Sequence, residues 1–339
     1  MPRYHWISLL LWLVALALVG WALSQMPLDA IAQTMQALTW PQWLAWSCVN
    51  IAIILVGTER WHVLTRLLRL PVTFLQLLLI RQAGQTVSFI TPGPQFGGEP
   101  LQIYWLYKRC AIAIHSAVLA LGMDRFFELW INFSVLFLGV ALLLFSTTQT
   151  GADLPQIMAI LLGLIAVLSL LGWTALRQPR WVSGRMERLS QRWLQSPRLR
   201  QIDDHWQALG NDLQNAFTSQ KTALLWALAL SILGWIGIFA EMALVLSILN
   251  IEVDLQGFVL IMVAMRLALL LPLPGGIGTL EASLLWSFQS LDLPTSAAIG
   301  VIALMRLRDA LVLITGLLCL HAMQSKDPAE NGPAADQKV

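Results

Sequence analysis

The chain has 339 residues, 57% of them hydrophobic and only 12% charged, with a formal net charge of +2. Soluble domains carry about 25% charged residues, so the composition excludes an ordinary soluble globule. It reads as an integral membrane protein folded as one compact bundle.

Residues 6–23 form an apolar run preceded by Arg3 and His5. The run reads as a retained first helix; a cleaved signal ending near Ala22-Leu23-Ser24 is the competing reading. Residues 25–41 form a connector without Lys or Arg, and residues 42–57 a second span that ends at Glu59, Arg60, Arg66 and Arg69. Those bases predict a cytoplasmic loop by the positive-inside rule.

Residues 72–90 are apolar but carry Arg81, Gln82, Gln85 and Thr86. They lead into a Pro-Gly loop at 91–100, and the chain returns through residues 101–122. Each limb is near the lower length limit for a span, so either can be a half-helix of a re-entrant hairpin. Residues 123–146 and 156–176 read as spans, joined by a second base-free connector at 147–155.

Residues 177–221 break the pattern with Arg177, Arg180, Arg185, Arg188, Arg192, Arg198, Arg200 and Lys221. This is expected to be a cytoplasmic linker of amphipathic helices at the membrane surface. Spans follow at 222–249 and 295–320, separated by limbs at 257–271 and 279–291 that flank a second broken stretch, 271–283. The connector 250–256 again lacks Lys and Arg. Both ends are therefore expected in the cytoplasm. The tail, 321–339, is rich in Pro, Gly, Ala and charge and is expected to be disordered.

The stretch 271–283, LPLPGGIGTLEAS, packs Pro272, Pro274, Gly275, Gly276, Gly278 and Glu281 into an apolar region. Broken backbone at membrane depth persists only where protein or a water-filled cavity satisfies its polar groups. The earlier loop, TPGPQFGGEPLQ at 91–102, echoes it with Pro92, Gly93, Gly97, Gly98 and Glu99. Offset by 182 residues, Pro92-Gly93 falls on Pro274-Gly275, Glu99 on Glu281 and Glu59 on Glu241. Nearby offsets bring Arg81 onto Arg266, Arg125 onto Arg306 and Glu128 onto Asp309. An odd number of crossings between the halves makes the expected architecture all-α, with two inverted repeats.

Arg81, Glu99, Asp124, Arg125, Glu128, Glu241, Arg266, Glu281, Arg306 and Asp309 fall in the expected spans. Each costs roughly 2.5–3.5 kcal/mol if left alone at a helix centre, so they must pair or face water. Arg125 with Glu128, and Arg306 with Asp309, are three apart and share a helix face. Asp124 and Arg308 fall off those faces and rank lower. Two readings stand: buried ion pairs that lock the repeats, or a polar cavity for a charged headgroup. In the second, Arg81, Arg125, Arg266 and Arg306 suit phosphate. Glu99, Glu128, Glu281 and Asp309 then gate the site or hold positive charge, and Glu241 counts among the substrate-binding residues.

Other chemistry finds little support. The sequence contains no phosphate-cradling GxxxxGK[ST] stretch and no GxSxG nucleophile turn. The cysteines Cys48, Cys110 and Cys319 match no disulfide or metal spacing and are expected as small core residues. The histidines form no ligand cluster. Trp40, Trp43, Trp61, Trp173 and Trp226 sit near span ends, as interface anchors do.

The two loops, together with DRFFELW at 124–130 and RLRD at 306–309, resemble the flippase-like membrane domain of lysylphosphatidylglycerol synthases over residues 41–320. The resemblance implies movement of an aminoacylated phospholipid, or another lipid in a stand-alone member, between leaflets of the inner membrane; no cofactor, metal or nucleic acid is expected. The soluble synthetase domain of two-domain members is expected to be absent, so aminoacyl transfer is not carried over. A membrane phospholipid or lipid-linked molecule is the expected partner, with a homo-oligomer or a lipid-modifying enzyme as further partners. The alternatives are an integral-membrane transferase using Glu99 or Glu281 as general base, and a non-transporting scaffold.

Overall fold

The structure, a computed structural model, describes residue 36 and residues 38–91, 97–146, 154–177, 221–271 and 273–324. Expectations for residues 6–23, Pro92, Gly93, Pro272, most of the basic linker and most of the tail lie outside the described residues. Among those described, the architecture is all-helical: nine α-helices, one 3-10 turn and no strand.

In chain order these are α1 (Trp40–Leu67), α2 (Phe74–Ile90), α3 (Glu99–Cys110), α4 (Ile114–Ser146) and α5 (Leu154–Arg177). After the linker come α6 (Lys221–Ile248), α7 (Leu255–Ala268), the 3-10 turn Pro274–Gly276, α8 (Thr279–Ser290) and α9 (Thr295–Gln324). Helix α1 begins at Thr39, whose backbone N–H and hydroxyl both donate to the Gln42 side chain. Asp254 caps α7 by accepting the Gly257 N–H.

The helices fall into two length classes. Three of them, Trp40–Leu67, 114–145 within α4, and Lys221–Ile248, are long and apolar enough to cross a bilayer. By contrast α3, α7 and α8 have 12, 14 and 12 residues. At 1.5 Å per residue they reach only about 18–21 Å, short of the roughly 30 Å hydrocarbon core. They form the limbs beside the two broken loops. α9 has 30 residues but carries Arg306, Arg308 and Asp309 in its middle.

Two boundaries differ from the sequence reading. Residues 101–122 are not one limb: α3 stops at Cys110, Ala111 takes φ 51°, and α4 runs unbroken from Ile114 through Asp124. The AIAI stretch at 111–114 contains neither Gly nor Pro, so no breaker announced this turn. Likewise α1 does not end at Gly57 but continues to Leu67, which carries Arg60 into the protein interior instead of a loop.

Packing follows the membrane rule that small residues let helices approach closely, since lipid offers no hydrophobic drive between them. α1 lies along α6, and α2 along α9, in the two most extensive helix contacts. Gly316 of α9 sits so close to α2 that a methyl there would overlap the Thr86 hydroxyl and the Gln82 carbonyl. Gly316→Ala is therefore expected to cost about 1–3 kcal/mol, the usual scale of overpacking. Gly163→Ala, with nothing within 4 Å, should be neutral or slightly stabilising. Thermal unfolding of the detergent-solubilised variants checks both.

Two of the expectations about apolar residues are corrected here. Trp61 is no interface anchor but a fully buried member of the core formed with Leu77, Ala83, Trp105 and Leu106. Trp40 and Trp226 are exposed, as anchors are. Cys48 is exposed on α1 rather than in the core, while Cys110 and Cys319 are half-buried.

Candidate functional site: two clipped loops and two charge clusters

The second broken loop shows how non-helical backbone is satisfied in an apolar setting. Gly275, Gly276 and Gly278 adopt φ 57°, 61° and 84°, which only glycine takes without strain. Their polar groups find two side chains. Arg306 of α9 donates to the Gly275 carbonyl at 3.0 Å and the Gly276 carbonyl at 3.2 Å. Glu281, in the first turn of α8, accepts the Gly278 N–H at 2.8 Å. The two side chains then join, with Arg306 Nε donating to Glu281 Oε1 at 2.7 Å. The loop is clipped to α9 by one carboxylate and one guanidinium.

The first loop is held in the same way. Glu99, in the first turn of α3, accepts the Gly97 N–H at 2.6 Å. Its other oxygen stands 3.2 Å from Arg125 Nε of α4, without hydrogen-bond alignment. Gly98 donates its N–H to the Ser88 hydroxyl at 2.9 Å. Gly98 lies so close to α2 that a methyl would overlap the Gly84 carbonyl. The first clip is the looser of the two.

Behind each clip lies a cluster of charges. In the first, the fully buried Asp124 accepts from Arg60 Nε at 2.7 Å and Arg81 Nη1 at 3.0 Å. Glu128 Oε2 meets Arg60 and Arg125 at 2.9 Å each and Arg81 at 3.6 Å. In the second, Arg308 bridges Glu241 at 3.0 Å and Asp309 at 3.1 Å. Arg306 also reaches Asp309, at 3.1 Å.

Four of the expected site residues, Arg81, Glu99, Arg125 and Glu128, thus fall in the first cluster. Glu241, Glu281, Arg306 and Asp309 fall in the second. Of the loop glycines, Gly97, Gly98, Gly275, Gly276 and Gly278 lie at the clips, with Pro274 opening the 3-10 turn. The sequence reading missed Arg60 and ranked Asp124 and Arg308 too low. Asp124 and Arg125 differ by about 100° around α4, so each faces a different neighbouring helix. The useful signal for Arg60 was the unbroken helical pattern across 57–67, with Trp61, Leu64 and Leu67 on its buried side.

Arg266 of α7 behaves differently. Among the described residues it meets no carboxylate within ion-pair distance, and its buried Nε has no hydrogen-bond partner. Its guanidinium lies over the Trp235 ring, 4.9 Å from the centroid. Its charged neighbours are Arg308, Glu241 and Glu128. A cation–π contact is worth roughly 0.5–2 kcal/mol, against a cost of about 2.5–3.5 kcal/mol for an arginine at a membrane helix centre. The ring offsets only part of that cost and satisfies no N–H. No group of His, Cys, Asp or Glu among the described residues is arranged to hold a metal ion.

Residues 6–316 match the family described as the lysylphosphatidylglycerol synthase TM region, which covers most of the chain. A UPF0104 membrane protein of Methanothermobacter thermautotrophicus is 23% identical over 271 residues, spanning 75% of this chain and 77% of the relative. No solved structure matches. The chain belongs to the lysylphosphatidylglycerol synthase TM region family and is a membrane protein.

Proposed function

We propose that this member of the lysylphosphatidylglycerol synthase TM region family is a flippase-like lipid translocase of the inner membrane. Both termini face the cytoplasm, and two inverted halves each contribute a broken hairpin to a central polar site. The headgroup crosses along the charged interior while the acyl chains stay in the bilayer. The observation that carries this reading is the matched pair of clips, Glu99–Gly97–Arg125 and Glu281–Gly278–Arg306. Each hairpin is held by an ionic contact that a competing charged headgroup can open.

Several features support the repeat. α1 starts at Trp40 and α6 at Lys221, α2 at Phe74 and α7 at Leu255, α4 at Ile114 and α9 at Thr295, each 181 residues apart. The left-handed residues Arg69 and Asn250, and Ala111 and Asp292, share that spacing. Contacts pair off as well: α2 packs on α9 as α7 does on α4, and α1 on α4 as α6 does on α9. This register sets Arg60, rather than Glu59, opposite Glu241. Arg60 bonds Asp124 on α4, and Glu241 bonds Arg308 on α9, so the corresponding locks carry reversed charge. Paired broken helices of this kind form the substrate sites of transporters built from inverted repeats.

The transferase reading fares less well. Glu99 and Glu281 each accept a glycine N–H and face an arginine, which leaves neither poised to take a substrate proton. A pure scaffold needs no cation left without an acid, yet among the described residues Arg266, half-buried over the Trp235 ring, is one. In proteoliposomes, Glu99→Gln with Glu281→Gln is expected to slow leaflet transfer of a labelled phospholipid at least about tenfold, a barrier change near 1.4 kcal/mol. The amide can still accept the glycine N–H, so the fold should persist. Wild-type transfer in the double variant would remove the clips from the mechanism.

A further inference from the structure

The arginines of the two clusters all meet carboxylates: Arg60, Arg81 and Arg125 in the first, Arg306 and Arg308 in the second. Arg109, half-buried in the last turn of α3, does not belong to either. Its Nε and Nη2 are both buried, and neither has a hydrogen-bond partner. Those two atoms form the side-on fork of the guanidinium, an edge that binds an oxoanion through paired N–H groups. Of the buried guanidinium atoms left unbonded, Arg125 and Arg266 contribute Nε alone. Among the described residues, Arg109 is thus the arginine that leaves a whole buried fork unused.

The fork is held in place from below. The guanidinium lies over the Trp105 ring, 5.3 Å from its centroid. Trp105 is 3% exposed and packs in the core with Trp61, Leu77 and Leu106. Such stacking uses the face of the guanidinium and none of its N–H groups. The Trp105 Nε1–H is a third buried donor without an acceptor in the same stacked pair. Lys108 Nζ stands 5.9 Å from the Trp105 ring centroid and 5.7 Å from that of Tyr104. The group offers donors and positive charge, and so calls for an anionic acceptor.

Its surroundings supply none. Leu70, Ile112 and Met323 share the Trp105 core, so the turn after α1, the α3–α4 turn and the end of α9 meet here. Residues 66–76, 103–116 and 319–324 hold Arg66, Arg69, Lys108, Arg109, His115 and His321, and no Asp or Glu. Bases in a last helical turn often serve its open carbonyls, but the Arg109 fork donates to none. Tyr104 and Tyr107 are exposed on the same helix. Exposed tyrosines mark the membrane–water interface, the depth at which lipid phosphates lie. Helix α8, beside the second loop, carries no Lys or Arg. The feature belongs to the first hairpin.

We infer that the Arg109 fork, stacked on Trp105, is a docking site for the phosphate of a membrane phospholipid at the basic end of the bundle. Ten residues separate it from Glu99, about 15 Å along α3, so it is distinct from the clip and from both clusters. Lipid binds there from the bilayer surface, with its acyl chains outside the protein. The site stands whether or not the chain carries lipid across.

The test titrates the purified full chain in detergent with dihexanoylphosphatidylglycerol, dihexanoylglycerol and inorganic phosphate. The phospholipid should bind about tenfold more tightly than either of the others, equivalent to ~1.4 kcal/mol. Arg109→Gln should erase that advantage. Arg109→Lys, which keeps the charge without the fork, should weaken phospholipid binding about threefold. Arg66→Gln, which removes an exposed charge from the same end, should change it less than about twofold. If Arg109→Gln fails to accumulate as folded protein, the three probes on the unaltered chain and Arg109→Lys still decide. Equal binding of phospholipid and dihexanoylglycerol would overturn the site. So would inorganic phosphate binding as tightly as the lipid, or an Arg66→Gln loss as large as that of Arg109→Gln. Phospholipid binding at Arg109 without leaflet transfer in vesicles would support the site and overturn the translocation reading alone.

Discussion

Arg306→Met should release the second broken loop from α9 and take away most of the protein's margin of stability. The guanidinium serves the Gly275 and Gly276 carbonyls, Glu281 and Asp309 together, and it is 1% exposed. Removing one partner from a buried ionic network costs roughly 3–5 kcal/mol, because the groups left behind stay desolvated and unpaired. Net stabilities are about 5–15 kcal/mol, so the variant should unfold at a much lower temperature or fail to accumulate. Arg306→Lys keeps the charge but lacks the planar fork; it should hold Glu281 and lose at least one carbonyl, giving an intermediate loss. Hydrogen exchange across 274–282 is the specific readout. It should accelerate in both variants, more in Met than in Lys, while α1 and α6 change less. Unchanged exchange in that segment would mean that the loop does not depend on Arg306.

Asp124→Ala is the second large effect. This carboxylate is 0% exposed and receives Arg60 at 2.7 Å and Arg81 at 3.0 Å. Its removal leaves those two arginines with Glu128, which already serves Arg125. A loss on the order of 3–5 kcal/mol is expected by the same argument. Asp124→Asn should lose less, since the amide oxygen still accepts one hydrogen bond. Replacing a whole buried pair by apolar groups of similar volume is often neutral. Asp124→Leu combined with Arg60→Met should therefore recover part of the stability that Asp124→Leu loses. A double-mutant cycle by thermal unfolding should report a coupling of about 0.5–3 kcal/mol. Additive losses would show that Arg60 and Asp124 do not act together.

Much of this site was legible in the sequence because breakers and charges are conspicuous against an apolar background. The described loop glycines, the acid two or three residues beyond the clipped glycine of each loop, and the Arg125–Glu128 and Arg306–Asp309 spacings all meet in the structure. What stayed hidden depends on which helix lies beside which. Arg60 resembled a loop base because the positive-inside rule reads charge without knowing that α1 continues to Leu67. Asp124 and Arg308 rank lower when only partners on their own helix are considered, whereas their main partners come from α1, α2 and α6. The role of Trp235 beneath Arg266 follows from the packing of α6 against α7, which no local pattern encodes. The turn at Ala111 has no Gly or Pro to mark it.

The most direct test of the central claim is leaflet transfer in proteoliposomes that contain only this protein and a phospholipid with a reducible fluorescent label. With the wild type, an impermeant reductant should bleach label from both leaflets, and the Glu99→Gln, Glu281→Gln double variant should protect the inner leaflet. If vesicles holding folded wild-type protein protect as much label as protein-free vesicles, the chain is not a lipid translocase.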